Sequence, residues 1–108
     1  MFFTGFTVVF LKQFCYGIGL TSPILVFLAL VIVTVGLLVG RREGWSRIEA
    51  FYWAFITATT IGYGDFRPTK RGSRVLAVLL GFLGLILSGI IVAVAIEATT
   101  KALQSIPH

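Results

Sequence analysis

The chain has 108 residues, of which 57% are hydrophobic and 12% charged, and its mean hydropathy is +1.00. Soluble globular domains carry about 25% charged residues, and a small soluble fold has too little interior to cover so much apolar surface. The composition therefore favours a membrane protein. The single Cys15 excludes an internal disulfide, while the single His108 and four scattered acidic residues offer no framework for an enzyme or a metal site.

The net charge of +5 comes from Lys and Arg residues that lie between apolar segments rather than in one patch. Juxtamembrane charges of this kind favour anionic lipid headgroups. We therefore expect membrane lipids, including anionic ones, as partners, and no nucleic acid. The sequence has no helix with Arg at every third position, so it does not predict a voltage sensor within this chain.

The N-terminal segment, residues 1–22, is apolar but interrupted by glycines and polar residues. Phenylalanines recur in it at helical spacing, at positions Phe3, Phe6, Phe10 and Phe14. The segment is either an interfacial helix with one aromatic face or an extension of the first membrane span. The sequence is compatible with both interpretations.

Two uncharged stretches predict transmembrane helices. Residues 23–40 predict an outer helix, and because about 1.5 Å per residue leaves it short of a full span, residues 18–22 are expected to contribute. Residues 74–97 hold a long uncharged stretch between a terminal Arg and a terminal Glu, and predict an inner helix. Residues 98–108 are then expected to form a tail, which the family resemblance described below implies to be cytoplasmic.

A short helix is predicted between the two spans, over residues 46–58. It opens on Ser46 and Glu49, whose spacing matches the capping box in which each side chain accepts from the other residue's backbone N–H. The helix is too short to cross a bilayer and too apolar for an aqueous loop, which is typical of a re-entrant segment. Non-helical backbone at membrane depth must be buried in protein or face a water-filled cavity. Residues 59–65 are therefore expected to line such a cavity.

The sequence of residues 59–65 is Thr-Thr-Ile-Gly-Tyr-Gly-Asp. Successive carbonyls can face one side only with backbone angles that residues bearing a Cβ rarely adopt, and Gly62 and Gly64 supply these angles at low cost. The carbonyl groups of four residues can then face a common axis: Thr60, Ile61, Gly62 and Tyr63. The Thr60 hydroxyl can face the same axis. Four copies around that axis would stack rings of oxygens that replace the hydration shell of a cation. A cyclic homotetramer is predicted, because one chain with two spans cannot enclose a pore.

With this loop placed after a capped apolar helix and between two spans, residues 46–97 resemble the pore module of the potassium channel family, of the bacterial or archaeal type with two transmembrane helices. The resemblance implies an all-α membrane protein in which residues 23–97 form the pore domain, with a re-entrant pore helix and a selectivity-filter loop. It also implies a homotetramer in the plasma membrane, multi-pass with cytoplasmic termini, that conducts K⁺ passively. K⁺ is the transported ion and not a cofactor of catalysis.

The resemblance also assigns roles to individual residues. It implies K⁺ sites at Thr60, Ile61, Gly62 and Tyr63. It implies support of the filter by Tyr52, Trp53, Thr59, Gly64 and Asp65. Trp53 would join Tyr52 and Tyr63 in an aromatic cuff, with its indole N–H donating to Asp65. The alternative for Tyr52 and Trp53 is anchoring at the membrane interface, as in aromatic belts.

One position departs from the family pattern. Some two-span bacterial members carry a glutamate nine residues before the filter aspartate, and here that position is Ile56. A buried carboxyl–carboxylate pair with Asp65 is therefore excluded. We expect weak inactivation, and a rapid decay of current under steady activation would contradict this expectation.

Four further sites are predicted outside the filter. Gly84 resembles the gating hinge of the inner helix, with close helix packing as the alternative, whereas packing is favoured for Gly81. Glu97 is either part of a cation-concentrating ring at the inner mouth or a solvated charge at a helix end. Arg67, at the outer mouth, is expected to repel external tetraethylammonium, which an aromatic residue would instead attract. Arg74 either holds an anionic headgroup or extends to the interface as many basic residues do.

The orientation of the chain is predicted differently by two arguments. The segment between the spans is rich in basic residues, which the positive-inside rule would place in the cytoplasm. The family resemblance places the same segment outside, and we follow the resemblance because the filter pattern is more specific than a charge bias.

Alternative functions remain open to test. The nearest is a weakly selective cation channel, and a more distant one is a non-conducting two-span assembly subunit. A reversal potential measured under a potassium–sodium gradient distinguishes a weakly selective channel from a potassium-selective one. Cross-linking that yields only monomers or dimers would favour the non-conducting subunit. The chain is either a minimal channel or the pore of a longer protein with a C-terminal regulatory domain, and we favour the latter.

Overall fold

In the computed structural model, which describes residues 2–106, the chain forms three α-helices over that range: α1 (Phe2–Glu43), α2 (Arg47–Ala58) and α3 (Arg71–Gln104). α1 and α3 are long and apolar enough to cross a membrane. α2 has 12 residues and is too short to do so. The all-helical fold with two apolar candidate spans is therefore confirmed.

The helix boundaries differ in part from those predicted. α1 runs without a break through residues 2–22 and on past the predicted outer helix to Glu43. α3 begins at Arg71 and continues to Gln104, so that most of the predicted tail is helical. Met1, Pro107 and His108 lie outside the described residues.

A proline lies in the interior of α1. Pro23 has no N–H to donate to the carbonyl of Gly19, one turn earlier. The Ser22 hydroxyl donates to that carbonyl instead, over 2.7 Å, and the Thr21 hydroxyl donates to Gly17 over 2.9 Å. Side-chain hydroxyls that satisfy freed carbonyls are one reason why prolines are tolerated in apolar helices.

The chain divides into two compact units, one of Met1–Leu25 with Gly89–His108 and one of Val26–Ser88. In the first unit, a Cβ added at Gly17 would lie 2.6 Å from Cγ1 of Val94, so the two helix segments pack closely there. Ala98 and Ala102 are also buried.

The second unit has a small hydrophobic core, to which all three helices contribute. Its buried members are Ile32, Val35, Val39, Trp53, Ala54, Ala58 and Leu80. The large apolar side chains on the rest of α1 and α3 are mostly exposed, as expected for helices whose solvent is lipid. The core therefore fixes α2, and with it the loop that follows.

Candidate functional site

The start of α2 is fixed by the predicted capping box, which is confirmed. The Ser46 side chain accepts from the Glu49 backbone N–H over 3.2 Å, and Glu49 Oε1 accepts from the Ser46 backbone N–H over 2.8 Å. Two of the backbone donors that a helix leaves unpaired at its N-terminus are thus satisfied within the chain.

Two glycines of α1 allow α2 to pack closely against it. A Cβ added at Gly36 would lie 2.5 Å from Cβ of Ala54, and one added at Gly40 would collide with Cβ of Ala50. On the same side of α2, Trp53 is 4% exposed. Small residues on both helices therefore set the distance between α1 and α2.

The end of α2 packs against α3 through Gly84. A Cβ added at Gly84 would lie 2.5 Å from Cα and 2.8 Å from the carbonyl carbon of Ala58, the last residue of α2. Gly81, for which packing was favoured, has no atom within 4 Å of an added Cβ. Close packing is thus a property of Gly84, and the hinge assigned to it stays a prediction.

The first part of the loop is tied back to the last turn of α2. The Thr59 hydroxyl donates to the carbonyl of Phe55 over 2.7 Å. The carbonyl of Ile56 accepts from the backbone N–H groups of both Ile61 and Gly62, over 2.8 and 3.1 Å. Ile56 itself is 3% exposed, so the residue nine positions before Asp65 is a buried aliphatic one.

Left-handed backbone angles alternate along the loop. φ is +65° at Thr60, +57° at Gly62 and +82° at Gly64. The special angles expected at the two glycines are confirmed, and the third was not anticipated. Positive φ at a β-branched residue costs about 1–3 kcal/mol and is kept only where the surroundings impose it, so it marks a constrained segment.

The loop has little cover within one chain. Residues 59–65 are exposed, with Ile61 at 48% and Tyr63 at 69%. The Thr60 hydroxyl donates to the neighbouring carbonyl of Thr59 over 2.6 Å. The single chain therefore leaves apolar side chains of a constrained loop uncovered.

Aromatic rings of α2 and of the segments on either side of it pack on one another. The ring centroids of Trp45 and Trp53 are 5.5 Å apart, those of Trp45 and Phe66 also 5.5 Å, and those of Tyr52 and Phe66 6.1 Å. Such separations are typical of favourable aromatic pairs. Trp53 makes no hydrogen bond to Asp65 in the described part of this single chain, and the cuff stays a prediction.

Asp65 is instead directed toward Tyr52 and the start of the next segment. Its Oδ1 accepts from the backbone N–H of Phe66 over 3.1 Å. Tyr52 lies on α2, outside the two candidate spans. Desolvation raises the pKa of its hydroxyl, and the hydrogen bond to Asp65 and the negative charge of that residue raise it further.

Sequence reasoning missed the contact that fixes the far end of the loop. Glu43 Oε1 accepts from the backbone N–H and the hydroxyl of Thr69 over 2.8 and 2.9 Å, and Oε2 accepts from the backbone N–H of Lys70 over 3.2 Å. The Lys70 ammonium in turn donates to the carbonyl of Arg42 over 2.5 Å. The last residues of α1 thus hold the segment immediately before α3.

The residues predicted at the two mouths of the pore, Arg67 and Glu97, take no part in the hydrogen bonds described above for residues 59–65. Arg67 is exposed, two residues after Asp65. Glu97 forms an ion pair with Lys101 one turn later on α3, with 3.8 Å between Oε1 and Nζ. Both side chains of that pair are largely exposed, so the pair contributes little to stability.

Comparison with known proteins gives a family and several relatives. Residues 1–101 match the family described as "Ion channel". "TWiK family of potassium channels protein 7" of Caenorhabditis elegans is 41% identical over 66 residues, which are 58% of this chain and 12% of that protein. "Potassium channel subfamily K member 17" of Homo sapiens is 49% identical over 57 residues, 49% of this chain and 16% of that protein. "Two-pore potassium channel 5" of Arabidopsis thaliana is 34% identical over 79 residues, 61% of this chain and 19% of that protein.

The chain thus spans less than a fifth of the length of each of these three relatives. No solved structure matches it significantly.

Proposed function

The chain belongs to the ion channel family as a potassium channel pore module, and from this premise we propose that it conducts K⁺ selectively and passively through a pore that four identical copies enclose. The family is one of transport proteins, and three of the relatives are named as potassium channels. The two apolar helices, α1 and α3, are its transmembrane helices.

The alternating left-handed angles at Thr60, Gly62 and Gly64 are the observation that carries the proposal. Alternation of this kind lets successive peptide groups turn their carbonyls to one side of an extended segment. In the assembled pore, the carbonyls of residues 60–63 and the Thr60 hydroxyl replace the water that a K⁺ ion gives up on entry. The hydrogen bonds from Ile61 and Gly62 to the carbonyl of Ile56 hold the start of this segment against α2.

Four copies are proposed because each chain contributes one such loop. A ring of oxygens from a single loop is open on its other sides, and the exposed Ile61 and Tyr63 need surface to pack against. Fourfold symmetry closes the ring and supplies that surface from α2 of the neighbouring copy. In this arrangement α2 enters the membrane without crossing it, as the re-entrant pore helix.

The remaining assignments follow from this arrangement. Tyr52, Trp53 and Asp65 brace the filter from behind, and the aromatic contacts around Phe66 support that role. Four copies of Glu97 line the inner mouth.

The channel lies in the plasma membrane with both termini cytoplasmic, so that the 41–47 segment is outside. Protease accessibility of that segment in oriented vesicles tests this orientation.

Ion flux in proteoliposomes tests the function. Vesicles loaded with K⁺ and diluted into Na⁺ medium should accumulate rubidium tracer, because K⁺ efflux leaves the interior negative. Gly62→Ala should reduce the accumulation, since no atom of the same chain lies within 4 Å of a Cβ there and the positive φ of Gly62 opposes any residue that bears a Cβ. Gly89→Ala, also in open space, is the matched control and should keep it.

Native mass spectrometry of the same preparation should give four copies of the chain. Absence of rubidium accumulation in the wild type, or a dimer as the largest assembly, would contradict the proposal.

A further inference from the structure

The two ends of the filter loop are held in different ways. At its start, the backbone N–H groups of Ile61 and Gly62 donate to the carbonyl of Ile56 in α2. Further along, residues 63–68 make no backbone–backbone hydrogen bond within the described range, residues 2–106. The later part of the loop is therefore positioned by side chains. We refer to residues 63–66 as the distal segment.

The ring of Phe66 connects the distal segment to the rest of the chain. It is half-buried against the hydrophobic core of the second unit. It stands edge-on to Trp45, with 5.5 Å between centroids and 72° between planes, and edge-on to Tyr52, at 6.1 Å and 75°. Edge-to-face contacts of this kind are favourable and directional. Because the Phe66 backbone N–H also donates to Asp65 Oδ1, the ring fixes the backbone directly after the filter.

Trp45 is itself held on two sides. Its backbone N–H donates to the carbonyl of Gly40 over 2.8 Å, and Gly44 has a φ of +77°, an arrangement that commonly ends helices. Its ring lies 5.5 Å from that of Trp53, at 58°, and Trp53 is buried in the core. A continuous series of rings thus runs from buried Trp53 through Trp45 to Phe66.

We propose that Phe66 is a positioning residue for the distal ring of filter oxygens, the one that the Tyr63 carbonyl forms, and that Trp45 is its anchor. The Tyr63 side chain is 69% exposed and gives that backbone little hold within the chain. With Phe66 fixed, the segment is held at both ends and its carbonyls keep the spacing that suits a dehydrated K⁺ ion. This inference rests on the proposed function and adds two residues, Trp45 and Phe66, that the filter motif does not contain.

Calorimetric titration of K⁺ into the purified, assembled protein in Na⁺ medium tests the inference without requiring conduction. Phe66→Leu keeps an apolar side chain but removes the ring. The half-saturating K⁺ concentration should rise by about tenfold, because the ring belongs to two aromatic pairs whose combined contribution corresponds to roughly that factor. Phe66→Tyr keeps the ring and should bind K⁺ as the wild type does.

Two further variants separate positioning from general stability. Leu76 packs against the same core and takes no part in the ring series, so Leu76→Ala should lower the temperature of thermal dissociation and leave the half-saturating K⁺ concentration unchanged. Phe66→Leu combined with Trp45→Leu should shift that concentration by less than the product of the two single shifts, since both substitutions remove the Trp45–Phe66 contact.

An unchanged half-saturating concentration in Phe66→Leu, or an equal shift in Leu76→Ala, would overturn the inference, while K⁺ binding by the wild type would leave the proposed function standing. Independent effects of the two leucine substitutions would overturn the role of Trp45 as anchor. A wild-type protein that binds no K⁺ in Na⁺ medium would overturn the proposed function, and the inference with it.

Discussion

Substitution of Gly84 by alanine tests how the inner helix supports the filter. The new Cβ would lie 2.5 Å from Cα of Ala58, while ordinary contact begins at 3.4 Å. The neighbour is backbone and belongs to the residue directly before Thr59, so a rotamer change cannot relieve the contact. α3 and the end of α2 must separate by roughly 1 Å, and overpacking of this kind costs about 1–3 kcal/mol per chain.

The helix itself would gain from the same substitution, by about 1 kcal/mol relative to glycine. Gly89→Ala isolates that gain, because nothing lies within 4 Å of its added Cβ. Thermal dissociation of the assembled protein in detergent should therefore occur at a lower temperature for Gly84→Ala than for wild type, and at an equal or higher temperature for Gly89→Ala.

Single-channel recording of the same two variants distinguishes packing from a hinge. If packing against Ala58 is the role of Gly84, loss of thermal stability accompanies any change in open probability. A Gly84→Ala protein as stable as the wild type would refute the packing argument, and a changed open probability in that protein would favour the hinge.

Three further predictions concern the ends of the pore helix and loop. Glu43→Gln should weaken the acceptor for Thr69 and Lys70, so hydrogen exchange at those two backbone N–H groups should accelerate while exchange within α2 stays unchanged; equal acceleration in both would point to general unfolding. Ser46→Ala should destabilise α2 by about 1 kcal/mol, and Ser46→Asp should largely restore the stability, as measured by thermal dissociation; an unchanged alanine variant would contradict the capping role. Arg67→Tyr should increase block by external tetraethylammonium through cation–π contact, and strong block of the wild type would contradict the outer-mouth assignment.

Local chemistry made part of this site predictable. The capping box needs only Ser46 and Glu49 three residues apart, and α2 begins accordingly and ends at Ala58. The left-handed angles at Gly62 and Gly64 follow from the low cost of such angles for glycine. Each of these features is decided within a few residues, and so a single sequence reveals it.

Other features depend on contacts between residues far apart in the sequence, or on a second residue that offsets an unfavourable one. Glu43 meets Thr69 across 26 residues, a separation that no local pattern encodes. Pro23 suggests the start of a helix because proline suits the first turn, but the Ser22 hydroxyl satisfies the freed carbonyl and α1 continues through it. The positive φ of Thr60 opposes its own preference and follows from the constraints on both sides of it.

In the proposed channel, a ring of main-chain oxygens from four loops admits K⁺ and rejects Na⁺. The most direct test is the reversal potential of single channels in a planar bilayer, with a tenfold K⁺ gradient and Na⁺ replacing K⁺ on the dilute side. We expect a reversal potential close to the potassium equilibrium value, about 60 mV from zero. A reversal potential near zero, with Na⁺ carrying current as readily as K⁺, would contradict it.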